Sequence, residues 1–188
     1  MKTPPDDLAD RLLAASELIL ASSPPPRFDD VATEIGVARA TLYYYFSGRD
    51  DLLSFILAEH VRRGAEVIAA AEGDGPAERL HDTVRRIVEF LGAEPSLCPA
   101  LLGAMGASGR MADALEANER SIATPLRELV ADGMRRGELA GGDPADVTNA
   151  LIGAILLQIV GRSMRGLATT DDASIDAVAS IARRVIGL

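Results

Sequence analysis

Apolar residues recur every three or four positions along this chain, and no stretch alternates with period two, so the pattern reads as helix after helix. Leu8, Leu12, Ala15 and Ile19 stripe a first helix that runs to about Ala21, where SSPPPR breaks it. A short helix over about Asp29–Ile35 turns Val31, Ala32 and Ile35 inward and stops at Gly36. A second short helix starts near Ala38–Arg39 and runs through Phe46. After the turn SGRD, a long helix from Arg49 carries Leu52, Leu53, Ile56 and His60 on one stripe to about Ala71.

EGDGP is the clearest boundary. Pro76 suits a first helical position, and Ala77, Leu80, Val84, Ile87, Val88 and Leu91 share one face of the helix it opens. GAEPSLCP breaks again, a short apolar helix spans Ala100–Ala107, and a helix from about Met111 to Arg136 carries Pro125, which predicts a kink or break. Asp143 and Pro144 open a helix to about residue 167 that is apolar nearly all round and therefore needs cover on most sides. A last helix over about 171–186 turns Ile175, Val178, Ala182, Val185 and Ile186 inward. The expectation is an all-α chain of about nine helices. It divides into an N-terminal helix-turn-helix unit (residues 1–48), a connecting helix (49–72) and a C-terminal bundle (73–188).

The middle of this pattern holds an anomaly. The chain has three tyrosines, and all three are adjacent at 43, 44 and 45. Two short helices joined by a glycine-containing turn make a helix-turn-helix. On the second, Leu42 and Phe46 lie one turn apart with Tyr45 beside them and can pack inward; Arg39, Ala40, Tyr43 and Tyr44 then point out. Packing does not explain outward aromatics on so short a helix, but a nucleic-acid surface does. Tyrosine hydroxyls bond phosphates, an arginine forks onto guanine O6 and N7, and an alanine lets the backbone approach. Thr41 can donate to a phosphate, and Arg49 opens the next helix, where backbone N–H groups also favour an anion.

Charge tempers this picture. The net charge is −9. Residues 1–63 hold seven Lys/Arg against ten Asp/Glu, and only the window 36–49, with Arg39 and Arg49, is locally positive. The expectation is few phosphate contacts and a shallow salt dependence.

DDVATEIGVARATLYYYFSGRDDLL resembles the DNA-binding domain of the TetR family of transcriptional regulators. The in-register positions are Val31-Ala32, Gly36-Val37, Thr41-Leu42-Tyr43, Tyr44-Tyr45, Phe46 and Arg49-Asp50-Asp51-Leu52. RRGELAGGDPADVTNALIGAIL resembles, more loosely, the family's join between its seventh and eighth helices. The resemblance implies that Arg39, Ala40 and Tyr44 face base edges while Thr41, Tyr43 and Arg49 hold phosphates. It further implies a palindromic double-stranded operator, a homodimer through the last two helices, and a cytoplasmic repressor relieved by a small apolar effector. Inward faces suggest Phe90, Cys98, Leu101, Leu102, Met105, Met111, Ile122, Leu126 and Gln158 as the pocket, with Arg162 and Gln158 also suited to a dimer edge. Some positions depart from the pattern. Arg27 and Phe28 stand where a serine or threonine usually caps, Ala38 replaces a serine cap, Gly48 replaces another, and Asp29 and Asp30 would repel a phosphate.

Other classes find little support. No nucleophile elbow or phosphate-binding loop follows a strand, so no enzyme and no cofactor are expected. His60 and His81 lack partners at metal spacing. Cys98 is the one cysteine, which fits packing and a reducing compartment. MKTPPDDLAD does not read as a signal peptide, and the apolar run Ala150–Val160 is too short to span a bilayer, so no membrane association is expected. Two rivals use the same residues: a ligand-binding protein of this fold with weak or lost DNA binding, and an interaction module whose tyrosine face meets protein.

Overall fold

The computed structural model of the chain describes residues 3–21, 26–104 and 110–186, with side chains over 3–21, 26–104 and 111–181. Among these residues every regular element is helical: α1 (Asp6–Ala14), α2 (Ser16–Ala21), α3 (Phe28–Glu34), α4 (Arg39–Tyr45), α5 (Arg49–Ala69), α6 (Pro76–Ala93), α7 (Leu97–Ala104), α8 (Arg110–Asn118), a π-helical turn (Glu119–Ala123), α9 (Thr124–Arg136), α10 (Pro144–Met164) and α11 (Asp172–Ile186). The first expected helix is two, because Ala15 leaves helical geometry at φ −95°, ψ 4°. The rod expected to kink or break at Pro125 leaves α-helical geometry one turn early, in the π turn Glu119–Ala123. Proline has no N–H and crowds the carbonyl four residues back, and the wider π turn just before Thr124–Pro125 absorbs that mismatch. Counting α1–α2 and α8–α9 as continuous rods gives the nine expected.

Helix starts without the usual hydroxyl caps are held another way. At α3 the Asp30 carboxylate accepts the Arg27 backbone N–H at 3.0 Å. At α5 the buried Asp51 accepts both the N–H and the hydroxyl of Ser47 at 2.9 Å, tying the first turn to the residue that precedes Gly48. Gly36, at φ +67°, makes the left-handed turn that lets α4 fold back on α3. Asp82 accepts the Glu72 N–H and pairs with Arg85 and Arg86, pinning the α5–α6 turn.

Three apolar clusters organise the molecule. Leu12, Ile19, Leu42, Phe46, Leu52 and Ile56 belong to the first, built by α1–α4 and the start of α5. Leu80, Val88, Val130, Leu151, Ile155 and Val178 belong to the second, among α6, α9, α10 and α11. Leu57, Leu97, Ala104 and Ala114 form a third, where α5 meets α7 and α8. Helix α5 thus reaches from the first cluster to the third.

Helix α10 is covered less than its apolar sequence demands. Leu151, Ile155 and Ile159 are buried, but Leu157 is 62% exposed and Met164 83% exposed. The apolar run is part of a 21-residue helix that is long and apolar enough, by length and composition alone, to cross a membrane. Arg162 staples the α10–α11 turn, donating to the Ala168 carbonyl at 2.6 Å and to Asp171 at 2.7 Å, and does not line the cavity among α5, α6, α7, α8 and α10.

Candidate nucleic-acid interface and effector cavity

Helix α4 has two opposed faces. Leu42 and Phe46 are fully buried under α1–α3 and α5, a burial worth about 1.5–3 kcal/mol for each side chain, and they fix the helix on its platform. The opposite face carries Arg39, Ala40, Tyr43 and Tyr44, all exposed, the two tyrosines by 51% and 56%. Thr41 is half-buried on α4, and Arg49 is half-buried in the first turn of α5.

Asp29 is not the bare repulsive charge that its sequence position suggests. Arg39 Nε lies 2.8 Å from one Asp29 oxygen and Nη1 lies 3.0 Å from the other, a two-point pair across the turn. The guanidinium carbon sits 5.1 Å from the centre of the Tyr43 ring, and that ring lies 5.0 Å from the ring of buried Phe28. Phe28, which replaces a capping residue in sequence, therefore supports Tyr43, which supports Arg39. A guanidinium has five N–H donors. Asp29 takes Nε and Nη1, and Nη2 makes a long 3.4 Å contact to the Tyr43 hydroxyl.

A cavity of about 140 Å³ lies among α5, α6, α7, α8, the π turn and α10. Of the residues expected to form a pocket, Phe90, Leu101, Leu102 and Ile122 line it. Cys98 and Leu126 do not: both are sealed in the second cluster, facing packed side chains. Met111 lines a different cleft beside α5, and Gln158 is half-buried on α10 away from the cavity. Met105 lies outside the described residues. The sequence pattern did not disclose the wall supplied by α5, namely Leu57, His60, Val61, Gly64 and Ile68. One signal was available: His60 interrupts the apolar stripe of α5, and Gly64 follows it one turn later.

Burial pushes the Cys98 thiol up to about 12. The native protein is therefore expected to leave a thiol reagent such as dithiobisnitrobenzoate unreacted at pH 8, with one equivalent reacting after denaturation. Rapid native reaction would show this packing to be wrong. Among the described residues no group of three His, Cys, Asp or Glu side chains is placed to hold a metal ion.

Polar ties cross between the first cluster and the cavity wall. The hydroxyl of buried Ser16, on α2, donates to Glu94, at the end of α6. The Ser96 hydroxyl, just before α7, donates to Glu17 of α2 at 2.6 Å. Glu94 also lies 3.3 Å from His60 Nε2. These hydrogen bonds join the α6–α7 corner to α2, whose Ile19 belongs to the first apolar cluster.

Comparison with known proteins gives matches at both ends. Residues 27–55 match the family described as "Bacterial regulatory proteins, tetR family", and residues 73–156 match "Tetracyclin repressor-like, C-terminal domain". The chain is similar to the HTH-type transcriptional repressor LfrR of Mycolicibacterium smegmatis, 36% identical over 80 residues, covering 42% of this chain and 40% of LfrR. It is 31% identical over 193 residues to the bifunctional enzyme NanE/NanK of Brucella melitensis biotype 1, covering 95% of this chain and 33% of that protein. The chain spans a third to less than half the length of these curated relatives. Its fold is similar to that of the transcriptional regulator FadR from Bacillus subtilis in complex with stearoyl-CoA, with a TM-score of 0.73 at 18% identity, covering 94% of this chain and 96% of that one.

Proposed function

We propose, from the premise that the chain belongs to the TetR family of transcriptional regulators, that it is a homodimeric repressor released from a palindromic operator by a small, mainly apolar effector. The observation that carries this reading is the two-faced α4, whose inner side is fixed by Leu42 and Phe46 while Arg39, Ala40, Tyr43 and Tyr44 are presented outward. On this reading Arg39, Ala40 and Tyr44 meet base edges, and Thr41, Tyr43 and Arg49 hold phosphates. The uncovered apolar strip of α10, with Leu157 and Met164, supports pairing of two copies through α10 and α11. Residues 1–48 act as the reading head, 49–72 as the connecting lever and 73–188 as the effector and dimer unit; the chain works in the cytoplasm, apart from membranes, without catalysis or a cofactor.

The mechanism is geometric. Two recognition helices must lie about 34–36 Å apart to enter successive major grooves. An effector among α5, α6, α7 and α10 spreads the α6–α7 corner, tilts α5 and draws α2 with it, and the spacing is lost. The effector need only favour the state that does not bind DNA, and the coupling is reciprocal.

Selection of genomic fragments with the purified protein, followed by fluorescence anisotropy on the recovered sites, tests the reading; recovery of no preferred sequence would refute it. The salt dependence is expected to be shallow. Arg62 pairs with Glu59 and Glu66, and Arg63 with Asp10. On the face that α4 presents, the cations are Arg39 and Arg49, or four per dimer, and Arg39 is itself paired with Asp29. The slope of log K against log salt is then no steeper than about −4. A slope near −10 would show that other basic residues reach the backbone.

A further inference from the structure

His60 is 5% exposed, lines the cavity, and makes no hydrogen bond through Nδ1 or Nε2; the approach of Glu94 to Nε2 has ion-pair distance but not hydrogen-bond geometry. A neutral imidazole carries one donor and one acceptor, and burying both without partners is unfavourable unless something else meets them. The rest of the lining is leucine, isoleucine, valine, glycine and phenylalanine, with Asn118 as the other polar side chain. A molecule held there meets hydrocarbon on nearly every side and hydrogen-bonding groups at two points.

Size and charge narrow the class. About 140 Å³ is close to the cavity volume that accepts one benzene ring. Gly64 keeps a slot open, since a Cβ there would touch Phe90 and Ile122 at 3.4 Å. The Phe90 ring centre lies 6.4 Å from that of His60, so an aromatic body can sit beside both. Burial lowers the His60 pKa, favouring the neutral ring, and the Glu94 carboxylate next to it opposes a second anion.

The geometry points to an effector that is a small neutral aromatic molecule bearing one hydroxyl or carbonyl group, with that group hydrogen-bonded to His60 and the ring against Phe90 and Ile122. This assignment rests on the reading of the chain as an effector-released regulator, and it names the effector's chemistry.

Isothermal titration of the full chain without DNA tests it, using 4-methylphenol, toluene and benzoate. Wild type is expected to bind 4-methylphenol about tenfold tighter than toluene, with benzoate weakest. His60→Leu is expected to erase the preference for the phenol, while His60→Gln, which keeps a donor and an acceptor, retains part of it; thermal melting checks that both variants fold. Equal binding of toluene and 4-methylphenol to wild type, tightest binding of benzoate, no binding of any probe at millimolar concentration, or a preference unchanged in His60→Leu would each overturn the assignment. The regulator reading fails separately. Operator binding with release by a molecule of another class would sink this inference alone. His60-dependent phenol binding by a chain with no operator would keep the site and sink the repressor.

Discussion

Arg39→Ala is expected to weaken operator binding by about 2–6 kcal/mol per dimer, on the order of 30-fold to 10⁴-fold, because each two-point contact to a base contributes about 1–3 kcal/mol and the dimer makes it twice. Asp29→Asn should act in the opposite sense on overall affinity. The Arg39–Asp29 pair is largely exposed, 61% and 55% by side chain, and exposed pairs contribute little to folding. On the proposed reading its effect falls instead on the face turned to DNA, where Asp29 offsets one guanidinium charge. The amide substitution keeps a hydrogen-bond acceptor for Arg39 but removes the negative charge. The expected result is tighter binding to all sequences, a steeper salt slope, and a smaller ratio of specific to nonspecific affinity. Anisotropy titrations of an operator and a scrambled duplex, each at several salt concentrations, measure all three quantities. If Arg39→Ala binds the operator like wild type, α4 does not read bases through this residue.

The contrast between these two residues shows what the sequence could and could not disclose. The outward face of α4 was legible because a 3.6-residue period separates Leu42 and Phe46 from Arg39, Tyr43 and Tyr44, whatever the rest of the chain does. The Asp29 contact was not, because it spans ten positions and depends on the angle that Gly36 sets between α3 and α4. The same limit applies to the cavity. An apolar residue facing a cavity and one facing a packed core have the same period, so Cys98 and Leu126 looked as suitable as Phe90 and Ile122. Helix caps failed for a related reason. The usual hydroxyls are absent at α3 and α5, and Asp30 and Asp51 brace the helix starts from the third helical position by accepting the N–H groups of Arg27 and Ser47. Nothing in the sequence pattern marks Ser16, Glu17, Glu94 and Ser96; only tertiary packing brings residues nearly eighty positions apart into hydrogen-bond contact.

Those four residues lead to the second large effect. Gly64→Leu is expected to imitate an effector, since its side chain would fill the slot against Phe90 and Ile122, and overpacking of this kind costs about 1–3 kcal/mol and moves backbone. The displacement should reach the α6–α7 corner and, through Ser16–Glu94 and Ser96–Glu17, the reading head. Operator affinity should fall by roughly 5-fold to 150-fold, the usual range of coupling between two sites. Ser16→Ala with Ser96→Ala cuts both ties while orphaning little, because Glu94 is one-third exposed and Glu17 is exposed, so water can meet either carboxylate. In that background Gly64→Leu should change operator affinity by less than about twofold, which is the signature of an energetic connection in a double-mutant cycle. Anisotropy on the four proteins completes the cycle, with thermal melting to confirm that each is folded. An undiminished penalty in the triple variant would mean that the cavity speaks to α4 along the body of α5 alone, and that the two serine ties only hold the corner in place.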